Sequence, residues 1–446
     1  MGYLTVYYQQ KENLRSGDQS NQADIVSVFS FFTSNNSSTA VAVSDDSSNS
    51  SKTLNSGADN TSAQSDQSGQ LAQAQSSKKI TLLAVGDIMM HQNQIDSAYD
   101  KKTDSYNLSD YFKNINPYLK GGDIVYANLE TPVAGEDLKY SGYPKFNAPT
   151  EILVELKKNY FTHLSLSNNH ALDRGPAGLS NTIKNVEDAG MIPLGAREIR
   201  ATSGSTLGAT SSAPENYQIT EKNGIKVGFL AYTYDTNGFT LPKNKVGMLS
   251  YINKDQIVKD IGDLKKQNVD VVTVALHFGI EYSRTENASQ LSLAQLACDN
   301  GADIILGDHP HVLEPIVYLN STVGNKKCLV IYSLSNFISG MPNLYTDLGG
   351  ILRVDISKNA GFGNSLGAGA TSSPMLIQPS FIGTWVKQGT NKDGAKYFTV
   401  LPLDADKIPE GIEVTKTEEG RLETYRNFLN TKIMPGITET TSSKVL

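Results

Sequence analysis

Cysteine is close to absent. The 446-residue chain has two, Cys298 and Cys328, which excludes a disulfide framework and any zinc site built on thiolates. Each lies in an apolar stretch, "LSLAQLAC" and "CLVIYSL", so both are read as small buried residues, and nothing in the sequence supports a bond between them. Basic blocks are missing too. The 39 Lys and Arg are scattered among 46 Asp and Glu, for a net charge of −7, and this excludes a nucleic-acid-binding face. No apolar run approaches the roughly 18–20 residues that cross a bilayer. The nearest, "ADIVSVFSFF" at 23–32, is about half that length and lacks the flanks of a signal peptide. Histidine is scarce, six in all, so where the six stand carries information.

What is present falls into four parts. Residues 1–33 form an N-terminal segment to which no role is assigned. Residues 34–77 are dominated by Ser, Asn, Gln and Asp with no aromatic residue. Such a segment cannot bury enough surface to offset its ordering entropy and is read as a disordered linker. From residue 78 to 405, apolar strand runs ("KKITLLAVGD", "GGDIVYANLE", "YFTHLSLSNN", "GIKVGFLAYTY", "VDVVTVALHFG", "GADIILGD", "KCLVIYSLSNF", "ILRVDIS") alternate with amphipathic helices. Leu179, Ile183 and Val186 make one helical stripe, and Ile257, Ile261 and Leu264 another. Near-continuously apolar strands between such helices predict an α/β sheet covered on both faces. Two Gly/Ser-rich stretches, 202–214 and 359–374, read as loops, and 406–446 as a C-terminal helix and tail.

In α/β sheets, ligands bind beyond the carboxyl ends of the strands, and here polar residues follow each apolar run. Asp87 and then His91 follow the first, and Asn128 and Glu130 the second. Asn168, Asn169 and His170 follow the third; His277 and Glu281 follow a later one; Asp308, His309 and His311 follow the next. Five of the six histidines occupy such positions, while His163 lies inside a strand run and reads as structural. In extended geometry His309 and His311 would share a face. An Asp, a Glu, an Asn carbonyl and three or four imidazoles are N/O donors without thiolate, a set suited to Mn, Fe or Zn rather than Mg or Ca. Six or more donors exceed one tetrahedral centre and point to two divalent ions bridged by a carboxylate.

The phrases "AVGDIMMH", "ANLETPV", "LSLSNNHALDRGPAGLSNTI", "GFLAYTY", "ALHFGIEY", "GDHPHVLEP" and "VIYSLSNF" resemble the capsule-synthesis CapA family, associated with poly-γ-glutamate, within the calcineurin-like metallophosphoesterases. The resemblance spans about Leu82 to Phe337 and implies a four-layer α/β/β/α sandwich over 78–405. It assigns Asp87, Glu130, Asn169, His277, His309 and His311 as metal ligands and His170 as the acid that protonates the leaving group. His91, Asn128, Asn168, Asp173, Glu281 and Asp308 are left as candidates for touching substrate or supporting the ligands. The chain departs from the pattern in four places. His91 stands four residues after Asp87 instead of two, Glu130 replaces a bridging Asp, Asp308 stands where small residues are common, and Ser335 replaces a frequent Gly. The implied function is metal-dependent hydrolysis in capsule or envelope polymer synthesis, with poly-γ-glutamate or a phosphoester as substrate and membrane components of a capsule-synthesis complex as partners. A phosphoesterase of unrelated substrate and a non-catalytic polymer-binding scaffold are the alternatives. The expected location is outside the cytoplasm, tethered at the cell surface.

Overall fold

A computed structural model describes residues 78–199, 215–341, 343–358, 375–390, 394, 396–404, 407–410 and 412–438. The N-terminal segment and linker, both Gly/Ser-rich loops and the tail past 438 lie outside the described residues.

The chain builds one sheet, then a second, then returns to the first. Strands β1 (Lys78–Ile88), β4 (Ile124–Leu129), β5 (His163–Ser165) and β6 (Ile192–Leu194) run parallel, with helices α1 (Gln92–Ala98), α2 (Glu151–Lys158) and α3 (Gly175–Asp188) between them. A small ribbon, β2 (Tyr99–Asp100) with β3 (Ser105–Tyr106), follows α1. The second sheet takes β7 (Gln218–Lys222), β8 (Ile225–Thr233), β9 (Val271–His277), β10 (Ile304–Asp308), β11 (Leu313–Asn320) and β12 (Lys327–Leu334) in the order β11-β12-β10-β9-β8-β7. Helices α4 (Lys254–Lys266) and α5 (Ala288–Asn300) make its crossovers. Strand β13 (Asn336–Ile338) then pairs with β1, and β14 (Leu348–Lys358), β15 (Met375–Thr390) and β16 (Lys396–Pro402) extend the first sheet to β16-β15-β14-β1-β4-β5-β6.

Side-chain alternation explains the layering. On β1, Leu82 and Ala84 enter the space between the sheets while Leu83 and Val85 face the helices. A strand apolar at every position is what a sheet covered on both faces requires. Leu82, Ala84 and Tyr126 pack against Phe229, Ala231, Leu306 and Ile331 in the middle layer. Ile152, Leu156, Leu179, Ile183 and Val186 cover one outer face, and Ile257, Ile261, Leu264, Leu293 and Ala297 the other. The fold is the four-layer α/β/β/α sandwich. Helix α6 (Lys416–Phe428) adds Leu422, Tyr425 and Phe428 to the middle core.

Two features lay beyond what the sequence could decide. Cys298 and Cys328 are paired in a disulfide, their Cα atoms 5.8 Å apart. Helix α5 lies against β12, and that packing joins residues 30 positions apart, which no sequence spacing reveals. Strands β15 and β16 were also not legible, because "MLIQPSFIGTWVKQGT" interleaves polar residues and a proline with the apolar ones. His163 is structural, as read: its two ring nitrogens lie 2.8 Å from the hydroxyls of Thr162 and Thr220, and it is buried against Phe229.

Glu314, at the start of β11, is fully buried and receives a hydrogen bond from Gln290. Burial raises its pKa to about 8. The folded state therefore holds it protonated, and the associated stability is present below about 4.5 and is lost as pH rises through about 8. Urea unfolding of Glu314→Gln is expected to match wild type near pH 4.5 and to exceed it by on the order of a few kcal/mol above pH 8. A pH-independent difference between the two proteins would contradict this.

Candidate metal centre

The parallel strands of both sheets end at one rim, and the register fixes which residues meet. Asp87 lies beside Asn128 and Asn336, Asn128 beside Ser165, and Asp308 beside His277. Gly86 permits a close approach: a Cβ there would sit 1.9 Å from the Ser335 carbonyl oxygen. Ser335 itself adopts φ +62°, which explains why glycine suits that position. Its hydroxyl donates to the carbonyl of Leu348 or His311, 2.6 and 3.0 Å away.

His309 and His311 do converge, but not as an extended pair. Their φ values are +103° and +59°, so a tight turn aims the rings, whose centroids stand 5.9 Å apart. Backbone held in such regions is costly and collects at functional sites.

The donors meet in a buried cluster. Asp87 Oδ1 accepts from Asn128 Nδ2 at 2.7 Å, and Asp87 Oδ2 lies 3.0 Å from His311 Nδ1. Asn169 Oδ1 lies 3.1 Å from His277 Nε2. Glu130 Oε1 is buried without a hydrogen-bond partner, 3.6 Å from His277 Nε2 and 3.8 Å from His311 Nε2. Those separations are too long for hydrogen bonds. Two triads, Asp87–Glu130–His277 and Glu130–His309–His311, each bring their ligand atoms within 4.8 Å of one another, with Glu130 common to both. A bare carboxylate oxygen in a dry site costs several kcal/mol unless a proton or a cation meets it. Donor chemistry, convergence and that orphaned oxygen all fit divalent ions.

Electrostatics point the same way. Burial, then the charge of Asp87, pushes the Glu130 carboxyl well above its usual range, and the same two causes raise Asp308. Burial, then His309 and His311, holds His277 well below an ordinary imidazole. Burial also opposes charge on His311, but the hydrogen bond and charge of Asp87 outweigh it and raise that pKa.

The other sequence candidates divide by what they touch. Asn128 donates to Asp87 and lies 3.3 Å from His277 Nδ1, so it props two ligands. Asn168 donates to the Leu129 carbonyl and accepts from the His170 amide at 3.2 Å. Asp173 Oδ2 accepts from the Phe146 amide at 2.7 Å and lies 2.8 Å from His170 Nδ1. Asp308 accepts from the Tyr126 hydroxyl at 2.8 Å, tying the two sheets together, and its other oxygen is buried without a partner. Glu281 acts through its charge, which reaches Glu130 and His311. His91 stands outside both triads; its Nδ1 accepts from the Gly340 amide at 3.2 Å, and burial lowers its pKa to about 4. Sequence reasoning missed Asn336, whose Oδ1 lies 3.1 Å from His311 Nδ1. Its place after the run "VIYSLS" was the signal available. It also missed the aromatic surround. The Phe146 ring meets His170 edge-on at 4.7 Å, and Tyr234 packs on His309 at 4.7 Å.

Comparison with known proteins agrees with the motifs. The family model described as "Bacterial capsule synthesis protein PGA_cap" matches residues 81–341. The chain is 36% identical over 273 residues to the capsule biosynthesis protein CapA of Bacillus anthracis, covering 58% of this chain and 60% of that protein. It is 33% identical over 257 residues to the PGA biosynthesis protein CapA of Bacillus subtilis (strain 168), covering 57% and 62%. The chain thus spans about three fifths of the length of these curated relatives. Among solved structures, the calcineurin-like phosphoesterase YfkN from Bacillus subtilis aligns with TM-score 0.40 at 17% identity, over 79% of this chain and 97% of that one. The NAD nucleotidase NadN of Haemophilus influenzae aligns with TM-score 0.41 at 13% identity, over 80% and 64%.

Proposed function

The chain belongs to the bacterial capsule synthesis protein family PGA_cap, and from that premise we propose that its carboxylate–histidine cluster is a two-ion hydrolytic centre serving capsule or cell-envelope polymer synthesis. The observation that carries this reading is Glu130 Oε1, buried, unbonded and common to both ligand triads. Asp87, Glu130 and His277 would hold one ion and Glu130, His309 and His311 the other, with the Asn169 carbonyl oxygen beside His277. Bound there, divalent ions such as Mn, Fe or Zn supply Lewis acidity toward an anionic ester and toward water.

The rest of the chemistry belongs to the chain itself. Asp173 holds His170 through Nδ1 and so presents Nε2 to a leaving oxygen, which His170 protonates. The Asp173–Phe146 amide bond fixes Asp173 in turn. His170 is buried, which keeps bulk water from competing for that proton. A phosphoester is the substrate this arrangement suits best, and a γ-glutamyl amide would meet the same groups. The disulfide supports an oxidising compartment outside the cytoplasm. Among the described residues no helix is long and apolar enough to cross a membrane.

Elemental analysis of the full chain purified without added ions is expected to find about two divalent ions per molecule. Loading a stripped sample at a thousandfold excess over Kd should add about 4 kcal/mol of stability per ion bound, and a chelator should reverse the gain in thermal melts. A melting temperature indifferent to Mn, Fe and Zn would end the metal reading. Normal polymer output from cells carrying the His309→Ala/His311→Ala double variant would end the hydrolytic one.

A further inference from the structure

His311 Nδ1 has two oxygens within hydrogen-bond distance, Asp87 Oδ2 at 3.0 Å and Asn336 Oδ1 at 3.1 Å. All three residues are buried, and the Asn336 amide is not free to turn. Its Nδ2 donates to the Thr346 carbonyl at 2.9 Å, and a carbonyl oxygen only accepts, so Oδ1 must face His311. An amide oxygen and a carboxylate oxygen also only accept, which puts a hydrogen on His311 Nδ1. Nε2, on the other side of the ring, lies 3.8 Å from Oε1 of Glu130, the residue common to both triads.

Asp87 is wanted twice. It belongs to the triad with Glu130 and His277, and its Oδ1 already accepts from Asn128 at 2.7 Å. An Oδ2 drawn to an ion is a poorer acceptor for His311, so the Nδ1 hydrogen then needs Asn336. Asn336 depends in turn on a remote helix. The Thr346 carbonyl sits in a turn whose Asp347 is buried and accepts from Arg421 at 2.9 Å and from the Tyr425 hydroxyl. The Tyr345 amide donates to the Tyr425 hydroxyl oxygen at 3.1 Å, and the Tyr345 ring packs 5.2 Å from both Tyr425 and Phe428. Arg421, Tyr425 and Phe428 all belong to α6, and Tyr425 stands 78 positions after Asp347.

We propose that Asn336 is a positioning residue of the metal centre: it holds the Nδ1 hydrogen of His311, which aims Nε2 at one ion and releases Asp87 to the other, and α6 fixes the turn that aims Asn336. This rests on the two-ion reading above. It makes the C-terminal helix, by way of Asp347 and Thr346, a working part of a centre whose ligands all precede it in the chain.

The test is Zn²⁺ binding by the full chain, with no turnover involved. Competition against a coloured chelator gives the affinity of each ion in wild type, Asn336→Leu and Tyr425→Phe. Asn336→Leu keeps the side-chain shape and removes both amide contacts, and it is expected to weaken at least one ion by about 10–100-fold. Tyr425→Phe removes only a hydroxyl at the far end of the chain of contacts and should cost about two- to tenfold. Histidine ¹H–¹⁵N spectra of the Zn²⁺-loaded protein supply a signature that a merely structural role would not move, with six histidines to assign. In wild type His311 should carry hydrogen on Nδ1 and metal on Nε2, and in Asn336→Leu that hydrogen should exchange with water at least about tenfold faster. If Asn336→Leu does not fold, Tyr425→Phe decides. Wild-type Zn²⁺ affinity in either variant, or metal on Nδ1 of His311 in wild type, would overturn the proposal and leave the two-ion reading intact. A wild type that binds no Zn²⁺ would end that reading and the proposal with it.

Discussion

Glu130→Gln is expected to reduce bound metal from about two ions to one or fewer and to lower turnover by at least about 10³-fold. The argument is geometric: Glu130 is the one residue common to both triads, so its loss disturbs both. The same change should have opposite effects on stability with and without metal. In the stripped protein it removes a buried carboxyl pressed against Asp87 and lacking a partner on Oε1. That group costs roughly 1–3 kcal/mol to bury, so the stripped variant should melt above stripped wild type. With metal present the order should reverse, because wild type alone gains the binding energy. Thermal melts of both proteins, each with Mn²⁺ and with chelator, give the four values needed. The same order in both conditions would mean that Glu130 does not bridge.

His170→Ala should act on rate and leave metal content alone. A positioned general acid contributes about 10²–10⁴-fold, and His170 lies outside both triads. The loss should depend on the leaving group. Esters with poor alkoxide leaving groups need the proton and should lose the full factor, whereas a nitrophenolate leaves without one and should lose little. Asp173→Asn should show the same dependence with a smaller loss, on the order of 10–100-fold, because Asp173 orients the ring without touching substrate. A uniform loss across leaving groups would make His170 a substrate-binding residue.

Much of this was legible in the primary structure because strand ends are local features. An apolar run such as "TLLAV" declares a strand buried on both faces, and the Gly-Asp after it marks where the strand stops. Asp87, Glu130, Asn169, His277, His309 and His311 could therefore be assigned to strand ends, although the strands belong to two sheets and not to one. Less could be read of atoms. Extended geometry gave the correct convergence of His309 and His311 for the wrong reason, since positive φ angles aim them. Asn336 escaped notice because Ser335, although it stands where Gly is frequent, does not disclose in the text the left-handed turn that precedes Asn336, whose Oδ1 lies 3.1 Å from His311 Nδ1.

The sequence by itself determined the layered α/β architecture, through apolar periodicity, and the chemical type of the site, through donors that carry no thiolate. Tertiary structure decided which oxygen is left unbonded at the centre and that Cys298 and Cys328 pair. The physical reason is range. Periodicity and residue type act over a few neighbouring positions, whereas contacts such as Glu130 with His277, or His170 with Phe146, exist only after two sheets and their loops have packed.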